Sequence, residues 1–156
     1  MIIEYAQLLS TAHRVIDGVE YEDRTANGRR IKRWKMVKNS NMENTLYKAA
    51  MVNHPSAIWV RQSSKHYRWL YHLFMNLCVE YTRRYGKIHS TERLLADLLG
   101  YTPQRLNDNG FTEPPQCMPD YCKESIVTEG YRKYYRNEKR YFAKWTNREV
   151  PRWFLE

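Results

Sequence analysis

No stretch of this sequence stays apolar long enough for a membrane-spanning helix, which needs roughly 20 such residues. The first residues, MIIEYAQLLSTAHR, carry a carboxylate at Glu4 and no leading basic cluster, so a secretory signal is not expected there. Cysteine is scarce. Cys78, Cys117 and Cys122 make an odd set without a C-x-x-C pair, which argues against a disulfide framework and against the common zinc patterns. Reduced thiols in an intracellular protein are the simplest account. No metal is expected, a zinc site from Cys117, Cys122 and a distant histidine being the remaining alternative. G-x-S-x-G, a glycine-rich phosphate loop and H-E-x-x-H are missing too. No cofactor is expected, and the scattered His13, His54, His66, His72 and His89 do not make a catalytic set. Repeats and low-complexity tracts are absent.

What the chain has is positive charge. Lys and Arg number 26 against 17 Asp and Glu, for a net charge of +9 and a pI near 9.5. A domain of this kind attracts polyanions, and nucleic acid is the commonest. Thirteen Tyr and five Trp stand against four Phe. Rings with a flat face and a polar tip suit half-buried positions and nucleobase stacking. At 156 residues the chain is long enough for one domain over 1–156 without staples.

Apolar spacing predicts a long central helix over Ser63 to Gly86, with Tyr67, Leu70, Tyr71, Phe74, Leu77, Cys78 and Tyr81 on one face. Trp69 and Leu73 widen that arc. Ser63 or Ser64 suits the N-cap, and Gly86 the left-handed residue that ends the helix. A first helix is expected over 2–17, with Ile2, Tyr5, Ala6, Leu9, Ala12, His13 and Ile16 inward. Its other stripe holds Glu4, Gln7, Thr11 and Arg14, which fits either a solvated surface or the wall of a polar cleft. Short helices follow at Glu43–Val52 and Glu92–Leu99, the latter capped by Ser90 or Thr91. Pro103, Pro114, Pro115 and Pro119 mark a strap over the surface. A last helix is expected from about Thr128 to Trp145, aromatic on one side and basic on the other, with Trp153 and Phe154 docking back. The fold class expected is all-α: one compact domain around the central helix, with a basic loop or hairpin insertion near residues 19–40.

That insertion is the densest cationic stretch. Seven of the fifteen residues from Arg24 to Lys38 are basic, and Asn27-Gly28 is a hairpin-turn signal in which both central residues take positive φ. Arg29, Arg30, Lys32, Arg33 and Lys35 with Trp34 suit phosphate contact plus stacking; an exposed insertion kept soluble by its charges is the plain alternative. Further candidate phosphate contacts are Arg14, His54, Arg61, Lys65, Arg68, Arg83, Arg84 and Lys87.

The order of elements resembles the pyrimidine-dimer DNA glycosylases of the phage endonuclease V type. MIIEYAQLL is similar to the second half of that family's first helix, with Glu4 at the place of its catalytic glutamate. The block HPSAIWVRQSSKHYRWLYHLFMNLCVEYTRRYG resembles its histidine-led aromatic segment and long central helix. YRKYYRNEKRY is similar to its terminal aromatic–basic segment, where Lys133, Tyr134 and Tyr135 match best. The resemblance implies a small helical enzyme of the cytoplasm, at the nucleoid or in a phage-infected host. It would bind damaged or distorted duplex DNA, cut the glycosidic bond and nick the abasic site, with Glu4 catalytic. The family's nucleophile is the α-amine of a mature N-terminus lying a full segment before the glutamate, whereas Met1 stands in the same helix as Glu4. The family's flanking arginines are replaced by Ile3 and Gln7. Two expectations follow: the recorded start is an internal methionine, or the chain has become a binding protein or uses a lysine amine. The rivals from other classes are a non-catalytic nucleic-acid-binding module and an adaptor whose basic face meets an acidic protein.

Overall fold

The computed structural model describes residues 1–155. Helix α1 (Ile2–Asp17) runs into a hairpin of β1 (Val19–Arg24) and β2 (Arg30–Lys35). Then come α2 (Ser40–Thr45), α3 (Pro55–Val60), α4 (Ser64–Tyr85) and α5 (Ser90–Leu99). A long strap contains the 3₁₀ turn Asp120–Cys122, and α6 (Val127–Glu138) and α7 (Arg152–Leu155) follow. The all-α expectation is overturned. Residues 19–35 form a two-stranded antiparallel sheet, with Val19 opposite Lys35 and Arg24 opposite Arg30, so the fold is mixed, though mostly helical.

Both faces of this ribbon are largely exposed. It therefore has no buried side to impose an alternating pattern, which is why its strands read poorly from spacing. Its turn is also one residue longer than the Asn27-Gly28 reading. Gly28 N donates to Thr25 O at 2.8 Å and Thr25 N to Arg29 O at 2.9 Å. Gly28 has φ +80, and Asn27 is not in the positive-φ region. This is a three-residue hairpin loop closed by a left-handed glycine.

The core lies where α1, α4 and α5 meet. Ala6, Leu9, Ala12, Phe74, Cys78, Leu95 and Leu99 are fully buried there. The two alanines let the neighbouring helices close onto α1, whose burial extends beyond one stripe. It packs on α3, α4, α5 and both strands, so α1, rather than the longer α4, is the hub. The α4 pattern holds: Tyr67, Leu70, Phe74 and Cys78 are buried, Ser63 caps the start, and Gly86 at φ +66 ends the helix.

The polar stripe of α1 is neither solvated nor the wall of a cleft beyond its first turn. Gln7 Nε2 donates to Lys48 O, while Thr11 Oγ1 accepts from Ala50 N at 3.2 Å. Arg14, only 3% exposed, uses all five of its N–H groups within the chain. They reach the carbonyls of Trp34, Glu43, Leu46 and Tyr47 and the Glu43 carboxylate at 2.7–3.1 Å. These bonds also explain why the helix expected over Glu43–Val52 is displaced to Ser40–Thr45. Carbonyls that would have propagated it are taken by α1. The last helix stops at Glu138 instead of Trp145 because the chain turns so that Trp145 meets Phe154 at 4.3 Å between ring centroids. Phe154 is buried and Arg136 Nη1 donates to Trp153 O at 2.7 Å, so the C-terminal rings do dock back.

Candidate nucleic-acid interface

α1 and α4 are antiparallel: His13 meets Tyr67 near the start of α4, while Ile2 and Ile3 line a cleft with Leu77 and Tyr81 near its end. Arg14, buried with its N–H groups all bonded within the chain, is no phosphate contact; the other basic residues singled out from the sequence fall into three groups.

One group sits at the N-terminal end of α1. An open cleft of about 390 Å³ lies between α1 and the last turns of α4, walled by Glu80, Tyr81, Arg84, Tyr85 and His89 as well as Met1 and Ile3. Tyr81 stacks obliquely on Tyr85 at 4.8 Å and edge-on to His89 at 4.9 Å. Glu4 follows on α1, its side chain 67% exposed and 3.3 Å from the amine of Met1, which lines the cleft. Tyr5 turns inward beside α6. Its burial, and then the neighbouring phenols of Tyr135 and Tyr131 and the Glu4 carboxylate, push its pKa up to about 12. Arg83 and Lys87 are exposed on the same end of α4, and neither has an ion-pair partner among the described residues. Arg84 is less free. It pairs with Glu80 at 2.7 Å and donates to Lys144 O at 3.2 Å. Arg148 clamps the same carboxylate with Nε–Oε1 at 2.8 Å. Hydrogen bonds from Arg148 and then Arg84 hold Glu80 down to a pKa of about 2. The segment of Lys144 and Arg148 is thus brought against Arg84 at this end of α4, a meeting that sequence spacing did not predict, since sixty residues or so separate them.

The hairpin lies at the opposite end of α1, about 24 Å away along a sixteen-residue helix. Its charge is partly compensated across the strands. Lys32 pairs with Glu20 at 2.9 Å, Arg33 with Asp23 at 3.3 Å and Arg30 with Glu22 at 3.6 Å. These are diagonal partners in the register, exposed enough to contribute little to stability. Arg29 and Lys35 have no ion-pair partner among the described residues. Trp34 is half-buried and its carbonyl is held by Arg14.

The third group surrounds the start of α4. Lys65 pairs with Asp108 at 3.4 Å, and Arg68 is exposed beside it. Arg61 donates to Val52 O at 2.7 Å, and its partial burial lowers its pKa. His54 caps α3, its Nδ1 accepting from Ser56 N at 3.2 Å. It also lines a second open cleft, of about 520 Å³, with Cys117 and Lys123. His89 caps α5 in the same way, accepting from Thr91 N at 3.1 Å. The sequence signal for both caps was a histidine two residues before a Ser or Thr at a helix start.

No family model, curated protein or solved structure matches this chain. Among the described residues no group of three or more His, Cys, Asp or Glu side chains is arranged to hold a metal ion, and no helix is long and apolar enough to cross a membrane. The chemistry must come from what the surface offers: an exposed carboxylate, primary amines, guanidinium groups and half-exposed aromatic rings. Guanidinium and ammonium groups neutralise phosphates, rings stack on bases, and a carboxylate stabilises a developing cation or moves a proton.

Proposed function

We propose that this protein binds duplex DNA through its two cationic ends. At the α1 N-terminal end it acts as a base-excision glycosylase with abasic-site lyase activity on damaged pyrimidines. The observation that carries the reading is the company Glu4 keeps: an exposed carboxylate on the end of the molecule where Arg83, Arg84, Lys87, Lys144, Tyr81 and Tyr85 gather. In this reaction an amine of the protein attacks the sugar C1′, the bond to the base breaks, and the base leaves with its electron pair and a proton. The sugar ring opens to an imine. Loss of a C2′ proton then expels the 3′ phosphate. Glu4 stabilises the positive charge on the sugar and handles the proton, a role that contributes roughly 10²–10⁴-fold in such sites. Such a substrate lies in the cytoplasm, at the nucleoid or on phage DNA.

The test is borohydride trapping on duplexes carrying an abasic site or a cyclobutane dimer. A covalent protein–DNA band is expected, and peptide mapping would name the amine. Glu4→Gln is expected to reduce nicking by about 100-fold or more while leaving duplex binding unchanged. Unchanged nicking by Glu4→Gln would remove Glu4 from the chemistry, and no band with binding retained would reject the lyase.

One observation favours a second reading, a non-catalytic DNA-binding protein. No side-chain hydrogen bond from another element holds Glu4 among the described residues, whereas catalytic groups are usually locked by their neighbours. That reading requires salt-sensitive binding with no cleavage of any damaged duplex.

A further inference from the structure

Four rings cluster where α3, the start of α4 and the strap meet. Trp59 and His66 stack at 4.3 Å with planes 12° apart, and Trp69 and Phe111 meet Trp59 edge-on at 5.6 and 6.1 Å. The inner pair is buried and fully held. Trp59 Nε1 donates to Thr112 O at 3.1 Å; His66 Nδ1 donates to Trp59 O at 2.8 Å, and its Nε2 accepts from Thr112 N at 2.9 Å. The outer pair is not covered: Trp69 is 39% and Phe111 44% exposed. Large rings left in water beside one another on a fixed support are what a binding surface needs, because the rings lose little freedom when a flat partner arrives. Gly110, at φ +83, turns the strap so that Phe111 falls back against Trp69. Asp108 fixes that turn by accepting from Gly110 N at 3.0 Å. Two cations stand beside the rings: Lys65 and Arg68 precede Trp69 on α4, Lys65 pairing with Asp108 at 3.4 Å. Arg68 is exposed without an ion-pair partner among the described residues, while Glu113 is exposed two residues after Phe111.

We propose that Trp69 and Phe111 form a stacking platform for the unpaired bases of a DNA strand whose phosphates lie against Lys65 and Arg68. The platform is a third contact region, about 22 Å along α4 from Arg84, and it rests on the nucleic-acid-binding part of the reading above. A flat apolar face beside cations fits a base with its backbone phosphate. An apolar helix face of a protein partner would leave Lys65 and Arg68 without a use. Base–aromatic stacking tolerates any sequence, so the platform serves single-stranded or locally opened DNA without reading it.

The experiment compares three labelled ligands by fluorescence anisotropy at one salt concentration. They are an oligothymidylate of about a dozen nucleotides, an abasic tetrahydrofuran strand of equal length and charge, and a duplex. Wild type is expected to bind oligothymidylate about tenfold tighter than the abasic strand. Trp69→Ala should erase that preference, Trp69→Phe should keep most of it, and duplex binding should not change. Equal binding of the two strands by wild type, or a preference that survives Trp69→Ala, overturns the platform. Should Trp69→Ala fail to fold, Phe111→Ala, on the exposed strap, is read by the same criteria. Duplex binding without the strand preference sinks the platform alone, whereas binding of neither strand nor duplex sinks the DNA reading with it.

Discussion

His13 shows how a single side chain ties the pH response to the fold. It is 2% exposed on α1, with Nε2 2.9 Å from Tyr67 Oη and 3.0 Å from Tyr101 O. Tyr67 Oη donates to Leu99 O at 2.9 Å, so it accepts from His13, and the proton of the neutral ring sits on Nε2. Burial lowers the pKa from 6.5 to about 4, against the opposing pull of the Asp17 carboxylate and the Tyr101 carbonyl. The unfolded chain therefore binds this proton more readily than the folded one. The stabilisation is fully present above 6.5 and is lost as pH falls towards about 4, amounting to about 3 kcal/mol at most. His13→Gln, which cannot charge, is expected to flatten stability across that window. Denaturant melts through it test the point, and parallel curves for wild type and variant would reject the role. Below that window Glu80 takes over. Its stabilising bonds to Arg148 and Arg84 are lost as pH falls from 4.5 through about 2, which joins the C-terminal segment's release from α4 to acid denaturation.

Among elements, α4 depends on a cap that serves two masters. Ser63 Oγ accepts from Lys65 N at 3.3 Å and from Asn109 N at 3.1 Å, and the residue is fully buried. Ser63→Ala should lower stability by about 1–2 kcal/mol. It should also raise amide exchange in the strap near Asn109 as well as at the helix start, and exchange confined to α4 would show that the strap is held elsewhere. This cap was legible in the sequence, as were the apolar face of α4, the inner face of α1 and the left-handed Gly86, because each depends on residues a few positions apart. The shift of α2 was not, because the groups that displaced it, Gln7, Thr11 and Arg14, lie some thirty to forty residues away. The hairpin's basic strand was visible, but the acidic strand that partly neutralises it matters only once the register is known. The same holds for the site. Glu4, Arg83, Arg84 and Lys87 were each singled out from the sequence, yet their meeting at one end follows from the antiparallel packing of α1 and α4, and Lys144 and Arg148 arrive there only through the fold-back of the C-terminal rings.

For the whole molecule, the two cationic ends of α1 set how the protein would lie on DNA. Their separation of about 24 Å corresponds to roughly seven base pairs at ~3.4 Å per step. A single duplex of ordinary length is long enough to span both. Each neutralised phosphate contributes about −0.9 to the slope of log K against log salt. Replacing Arg29 and Lys35 by Glu at the hairpin should reduce the slope's magnitude by about 2, and replacing Arg83 and Lys87 by Glu should do the same. Because the two pairs share no partners and lie far apart, their effects on log K should add when combined. Titrations of one long duplex at several salt concentrations measure all three. A hairpin variant with an unaltered slope would mean that the ribbon's charges face away from the duplex and serve only solubility. Non-additive losses would mean that the two ends bind alternative duplexes rather than one.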